Sequence, residues 1–214
     1  VYFAYFSQIV PLLLIHFARK GWIFHDFSYD FKPGSRTAIV GETGIGKSTL
    51  IRLILSLLKP NGGEIRIYNE SESRVTSALT RNNLVYVPQG NTLFSGTVRE
   101  NLLMGDPGAD DRQMWAVLDV AEAGFVRSLP GGLDARIGEI GAGLSEGQAQ
   151  RIAIARGLLR PGSILLLDEF SSSLDQETER RLLKNLSESY GNKTIIFITH
   201  RDAVLDYCDS VLRL

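Results

Sequence analysis

Residues 41–49 read Gly-Glu-Thr-Gly-Ile-Gly-Lys-Ser-Thr, and this run carries the densest chemistry in the chain. Four residues separate Gly41 from Gly46, and Lys47-Ser48 follow directly, which is the spacing of a phosphate-binding P-loop. Such a loop turns several backbone N–H groups toward one point, and a helix beginning near Lys47 adds its partial positive charge there. Glycines at 41, 44 and 46 let the backbone approach a ligand with no Cβ in the way. A polyphosphate is the natural occupant. Lys47 is placed to reach its β- and γ-phosphates, and the Ser48 hydroxyl to bind Mg²⁺. Gly41, Glu42, Thr43, Gly44, Ile45, Gly46, Lys47, Ser48 and Thr49 are therefore all candidate nucleotide contacts.

A second site of charge lies at Asp168-Glu169, directly after the apolar run Ile164-Leu165-Leu166-Leu167. In parallel α/β sheets ligands sit at the carboxyl ends of strands, so these acids and the P-loop, which also follows a strand, are expected at one edge. Asp168 suits Mg²⁺, directly or through water. Adjacent strand residues face opposite ways, so Glu169 is expected to point elsewhere and to deprotonate a water for in-line attack on the γ-phosphate. His200 follows another strand pattern, Thr194–Thr199, and at its carboxyl end could hydrogen-bond the γ-phosphate or the attacking water; a lone His there also has a plain structural reading. Gln89, after Pro88, could ligate Mg²⁺ through its amide oxygen or be structural in the same way.

The elements that must position these residues are legible in the pattern. Phe27, Tyr29 and Phe31 alternate with Ser28 and Asp30, a strand period, and Lys32-Pro33-Gly34-Ser35 reads as a turn. Thr37–Val40 runs into the P-loop as a short buried strand. Leu50, Ile51, Ile54, Leu55 and Leu58 recur at helical spacing, and Lys59-Pro60-Asn61-Gly62-Gly63 stops that helix. Ile65 and Ile67 mark a further strand, 69–83 a polar surface connection, and Leu84–Val87 a buried strand. Helical patterns dominate from 90 to about 160. Strands alternating with helices, with continuous apolar runs at 164–167 and 194–198, imply an α/β fold around a mainly parallel sheet, with a separate helical lobe.

Hydrophobic residues make up 44% of the 214 and charged residues 22%, enough to build a core in one domain with subdomains. A formal net charge of −1 gives no basic field for nucleic acid. The single cysteine, Cys208, excludes an internal disulfide framework, fits a reducing compartment and reads as a small buried residue. Val1 is not a start methionine and Leu214 falls inside a strand pattern, so both ends look cut from something longer. The apolar stretch 1–17 is broken by Ser7, Gln8, Pro11 and His16, short of the roughly 20 clean apolar residues of a membrane span. It reads either as the tail of a preceding membrane helix with its linker or as a strand packed on the domain.

Leu144-Ser145-Glu146-Gly147-Gln148 resembles the Leu-Ser-Gly-Gly-Gln signature of ABC transporters. From about Phe24 to Leu214 the chain resembles their nucleotide-binding domains. The order agrees: P-loop, Pro88-Gln89 as the Q-loop, the signature, the Asp168-Glu169 acids, Ser171–Asp175 as the D-loop, and Thr199-His200-Arg201 as the H-loop. The resemblance implies a P-loop NTPase fold with a parallel core, an antiparallel β subdomain and a helical subdomain. It implies ATP and Mg²⁺ as cofactors, with Ser48, Gln89 and Asp168 about the metal, Glu169 and His200 catalytic, and Asp175 as the D-loop aspartate. Ser145 and Gln148 also have the spacing of a capping box, so Ser145 and Gly147 lie on a second positive helix end. In the family that end, with Ser145, Gly147 and Gln148, binds ATP held by a partner domain, so two domains enclose two ATPs head to tail.

The stretch Leu93–Asn101 is similar to the segment after the Q-loop in ABC exporters, and Gly138-Glu139-Ile140-Gly141 resembles their cross-talk segment. In such exporters the ATPase domain follows a six-helix membrane domain on one polypeptide at the cytoplasmic face of the membrane. That implies residues 1–20 as linker or tail of a membrane domain, and 21–214 as a C-terminally truncated ATPase domain with its helical subdomain at about 90–160. Departures from the pattern are Glu146, expected to face outward, and Phe170, which the sequence leaves without an account. The family's adenine-stacking aromatic falls by spacing near Ala18; Phe17 fits with a one-residue shift, and Trp22 is a further candidate. The leading reading is an ATP-hydrolysing exporter motor with a second such domain and a membrane domain as partners, and no nucleic acid. Against it stand a non-transport ABC ATPase of DNA repair or translation, which usually carries coiled-coil or zinc insertions absent here, a regulatory domain without turnover, and an importer subunit.

Overall fold

The computed structural model describes residues 8–17, 21–69, 72–138 and 143–214. The chain forms two compact units. One comprises the chain up to Val85, Gly162–Leu166 and Asn192–Leu214; the other comprises Tyr86–Pro161 and Leu167–Gly191.

The first unit holds two sheets. Strands β1 (Gln8–Phe17), β2 (Gly21–Ser28), β4 (Gly62–Tyr68) and β5 (Ser73–Val75) form an antiparallel sheet in the order β2-β1-β4-β5. Gln8–Phe17 thus takes the strand form of its two readings, with Ile9 opposite Ile67 and Leu13 opposite Gly63. Within 69–83, expected as a polar surface connection, lie β5 and a 3₁₀ turn at Ala78–Asn83. The second sheet has the order β11-β3-β10-β9-β6, where β3 is Arg36–Val40, β6 Leu84–Val87, β9 Ile164–Asp168, β10 Thr194–Ile198 and β11 Ser210–Arg213. Strand β3 runs parallel to both β10 and β11.

The sequence character of these strands follows from burial. Thr194–Ile198 and Ile164–Leu167 are buried at every position, as continuous apolar runs covered on both faces must be. Edge strand β11 is tied to β3 by polar groups instead. The Arg36 N–H and guanidinium donate to the Asp209 carboxylate, at 2.7 Å from the backbone nitrogen, and Thr37 and Ser210 hydroxyls meet at 2.8 Å. This pairing pulls the Asp209 carboxyl below its ordinary value. Cys208 is half-buried, and burial pushes its thiol up to about 11, so it stays protonated and inert near neutral pH.

Helix α1 (Lys47–Ile54) leaves β3 through residues 41–46 and buries Leu50, Ile51, Leu53 and Ile54. It ends a turn earlier than the apolar spacing predicts. Leu55 is its C-cap, Ser56 takes φ 54°, and Leu57 is left exposed. The apolar residues after Ile54 therefore continue the pattern without continuing the helix.

The second unit is mostly helical: α2 (Val98–Leu103), α3 (Asp111–Val120), α4 (Glu146–Leu158) and α5 (Gln176–Ser189), with a short ribbon of β7 (Gly96–Thr97) and β8 (Arg136–Ile137). It takes in α5 beyond the expected 90–160 segment. Helix α4 is buried nearly all round, as the centre of a helical unit must be. The Arg99 side chain on α2 binds both Asp111 and Asp134, holding the start of α3 and the turn before β8. α2, α3 and α4 each open on a capping box, Thr97–Glu100, Asp110–Gln113 and Ser145–Gln148. Among the described residues no helix is long and apolar enough to cross a membrane.

Gly162 leads into β9, and a Cβ there would stand 2.7 Å from Val85 Cγ2 and 3.0 Å from the Asn83 carbonyl oxygen. Overpacking of this kind costs about 1–3 kcal/mol. Gly162→Ala is expected to lower the unfolding free energy by that amount, read as a lower urea midpoint at an unchanged m-value; an unshifted midpoint would show that the β6–β9 approach is loose.

Candidate functional site

The candidate residues are divided between the two units. Residues 41–49 and His200 belong to the first; Gln89, Ser145–Gln148, Asp168, Glu169 and Asp175 belong to the second.

In the first unit, β3 delivers the chain to a loop that only glycine makes easily. Gly44 has φ 87° and Gly46, the N-cap of α1, has φ 121°. No side chain caps α1, so its first N–H groups have neither intrahelical nor side-chain acceptors and are available to an anion. Lys47 is buried, and its Nζ donates to the carbonyls of Gly41 at 2.6 Å and Glu42 at 3.0 Å. The ammonium thus sits within the loop it is meant to serve, with two of its three protons committed to the loop backbone. Glu42, Thr43, Gly44, Ile45 and Ser48 are exposed, and Thr49 is half-buried. At the end of β10, Thr199 N–H donates to the Ile39 carbonyl, which brings the following His200 alongside β3. His200 is exposed and lines an open cleft of about 420 Å³ together with Gly41, Glu42, Arg201 and Arg213. The structure therefore brings His200 and the start of the P-loop to one cleft.

In the second unit, Asp168 ends β9 and accepts a hydrogen bond from the Tyr86 hydroxyl at 2.9 Å. Glu169 lies one residue past the strand, with φ 47°. Its direction is set by this left-handed backbone and not by strand alternation, which corrects the sequence argument for why the two acids diverge. A non-glycine residue held there stores strain of about 1–3 kcal/mol, a pattern found at functional sites. Phe170, unexplained by sequence, is fully buried and anchors the turn below the two acids. The turn closes through Ser172 N–H to the Glu169 carbonyl and Leu174 N–H to that of Ser171. Asp175 then caps α5, accepting from the Thr178 N–H at 2.9 Å and its hydroxyl at 2.7 Å, bonds that hold its carboxyl below the ordinary value. The sequence assigned Asp175 to the D-loop and missed this capping role, although the Asp-x-x-Thr spacing before a charged helix signals it.

Helix α4 gathers the rest. The Ser145 hydroxyl accepts from Gln148 N–H at 3.2 Å and the Gln148 side chain accepts from Ser145 N–H at 2.9 Å, the expected capping box. Glu146 is exposed, as expected for a carboxylate near a phosphate site. Gly147 is buried for a reason the sequence does not state: a Cβ there would lie 2.7 Å from the Ser173 carbonyl oxygen, so the helix start rests directly on the 171–175 segment. Further along, Gln150 Nε2 donates to the Pro88 carbonyl at 3.3 Å, and Arg156 donates to the Thr92 carbonyl and hydroxyl at 3.1 and 2.8 Å. These two side chains hold both ends of the loop that carries the exposed Gln89. Arg151 donates to the Glu122 carbonyl and stacks on Phe125, its guanidinium centre 4.9 Å from the ring centroid. Burial pulls this guanidinium below its ordinary value, and the Asp175 and Glu122 carboxylates act the other way.

Three sequence-based assignments lie outside the described residues: Ala18, the segment 139–141, and the side chains of Phe17 and Trp22. The backbone of Phe17 closes β1, opposite Gly21.

Gly147→Ala forces the α4 start off the Ser173 carbonyl, and a loss of about 1–3 kcal/mol in denaturant unfolding is expected. Asp175 supplies a titration. Its carboxyl is depressed in the folded chain, so its contribution is complete above the ordinary value of about 3.9 and is lost as pH falls through the lowered one. Asn caps helices nearly as well and does not titrate. The melting-point advantage of the native chain over Asp175→Asn should therefore hold steady near neutral pH and shrink only as pH falls below about 4; a gap that stays constant on acidification would remove the carboxylate from this role.

The family model described as ABC transporter matches residues 24–172, more than half of the chain. The chain is 38% identical over 193 residues to the mycobactin import ATP-binding/permease protein IrtB of Mycolicibacterium smegmatis, covering 90% of this chain and 34% of that protein. It is 37% identical over 190 residues to a probable multidrug resistance ABC transporter ATP-binding/permease protein, YheI, of Bacillus subtilis, covering 87% and 32% respectively. It thus spans about a third of the length of these relatives. A bacterial Atm1-family ABC exporter with ATP bound superposes with a TM-score of 0.88 at 35% identity, over 97% of this chain and 37% of that one. With an uncapped P-loop helix, a boxed signature helix and paired acids at a buried strand's end, the chain belongs to the ABC transporter family, as its ATP-binding ATPase domain.

Proposed function

We propose that this domain is the motor of an exporter-type transporter at the cytoplasmic face of a membrane, pairing with a second ATPase domain around two ATP molecules. The observation that carries this reading is the likeness, across nearly the whole chain, to the ATPase part of an exporter with ATP bound. In this reading the P-loop amides and Lys47 hold the phosphates of one ATP, and the Ser145 end of α4 offers its N-terminal dipole to the ATP held by the partner domain. Glu169 accepts the proton of the attacking water, and His200, in the same cleft as the P-loop start, contacts the γ-phosphate.

The donor types suit Mg²⁺, a hard cation that takes oxygen ligands: the Asp168 carboxylate and Gln89 amide oxygen of the second unit, and the Ser48 hydroxyl of the first. Held by these groups, Mg²⁺ would supply neutralisation of charge on the β- and γ-phosphates. The contribution of this chain is to hold Asp168 through Tyr86 and to hold the Gln89 loop through Gln150 and Arg156.

A membrane domain is the second partner, and two features support it. The relatives' names join an ATP-binding part to a permease part, and this chain matches about a third of each. In the second unit a cleft of about 220 Å³ is lined by Pro88, Phe94, Met104, Arg156 and Arg160, with Phe94 and Met104 left 55% and 56% exposed. An apolar-faced segment of the permease fits such a cleft. Cargo and direction belong to that permease.

Glu169→Gln is expected to bind ATP normally, to lose turnover by roughly 10²–10⁴-fold, the range for losing a general base, and to form an ATP-dependent dimer on gel filtration. Near-native hydrolysis in that variant would take the general-base role from Glu169. A strict monomer at saturating ATP would sink the two-domain arrangement.

A further inference from the structure

The Tyr86 hydroxyl lies 2.9 Å from Asp168 Oδ2. The two residues are 82 positions apart; Tyr86 is the penultimate residue of β6 and Asp168 the last of the neighbouring β9. Both are half-buried, so water competes for this bond less than at an open surface. A phenol has one proton, and here it points at a carboxylate that a metal site requires to be ionised and fixed in orientation. Tyr86 also stands three residues before Gln89, with Pro88 held by Gln150 in between, so its own backbone is anchored on both sides.

We propose that Tyr86 is a positioning residue of the metal site. Its hydroxyl locks the torsion of the Asp168 carboxylate by occupying a lone pair of Oδ2. That restraint fixes the direction in which the carboxylate would face the ion or its waters before nucleotide arrives. In this role Tyr86 would act on the metal through Asp168. The inference rests on reading Asp168 as a metal-site carboxylate.

The test separates metal from nucleotide. The affinity for a fluorescent ATP analogue is measured with excess EDTA and with saturating Mg²⁺, and the ratio gives the gain due to the metal. Tyr86→Phe, which removes one oxygen and keeps the ring, should leave the EDTA affinity unchanged and cut the metal gain by about 10-fold, as outer-shell partners of metal ligands do. Tyr86→His, which keeps a donor, should recover part of the gain. Asp168→Asn should abolish it. A Tyr86→Phe chain with the native metal gain overturns the proposal, as does one that weakens both affinities alike, because that is the mark of a general packing defect. If instead Asp168→Asn keeps the native gain, it is the reading of Asp168 that fails, and the role of Tyr86 falls with it. Should Tyr86→Phe not fold, a native gain in Tyr86→Leu overturns the proposal equally.

Discussion

A helix that begins without a cap leaves N–H groups that water, a side chain or a ligand must satisfy. The architecture of this domain depends on that constraint. At α1 the N-cap is Gly46, which has no side chain to offer, and the preceding backbone is held open by left-handed glycines. At α4 the N-cap Ser145 closes a capping box with Gln148, and Gly147 is pressed against a carbonyl. One helix start is thus left open to a ligand, and the other is closed by its own capping box and braced against a carbonyl of the 171–175 segment. The buried strands serve this division. Strand β3 delivers the loop, β10 brings His200 to the same cleft, and β9 ends in the acids of the second unit.

Lys47 shows how such a loop keeps its shape. An ammonium buried among backbone amides repels the positive ends of their dipoles, so it needs acceptors. It finds them in the carbonyls of Gly41 and Glu42. The same charge that is meant for phosphate therefore staples the loop across its width. A substitution at Lys47 acts on loop shape as well as on charge, which is why arginine, with a planar fork in place of a compact point charge, is no equivalent there.

Much of this site was legible because its chemistry is written in contiguous residues. The P-loop, the two acids after an apolar run and the Ser145–Gln148 spacing each state a local geometry, and local geometry survives without knowledge of the fold. What the sequence did not disclose is long-range or conformational. The Tyr86 contact to Asp168 and the Gln150 contact to Pro88 join residues 82 and 62 positions apart, and no spacing rule reaches them. The left-handed backbone of Glu169 is invisible because nothing in the residue type requests it. The early end of α1 was missed because Leu55, Leu57 and Leu58 prolong an apolar pattern past the point where Ser56 leaves the helix. The burial of Phe170 and Gly147 has the same origin: each answers a neighbour supplied by folding.

Helix α4 explains why the second unit behaves as one piece in any account of function. Its start rests on Ser173, its middle holds Pro88 through Gln150, and its end holds Thr92 through Arg156. Asp168 and Glu169 precede Ser173 by a single tight turn anchored by buried Phe170. A ligand that seats on Ser145 therefore meets a helix that already bears on the Gln89 loop and on the segment carrying the two acids. The helix start at Ser145 and the turn that carries Glu169 are therefore packed backbone against backbone, and it is the absence of one methyl group at position 147 that permits the approach.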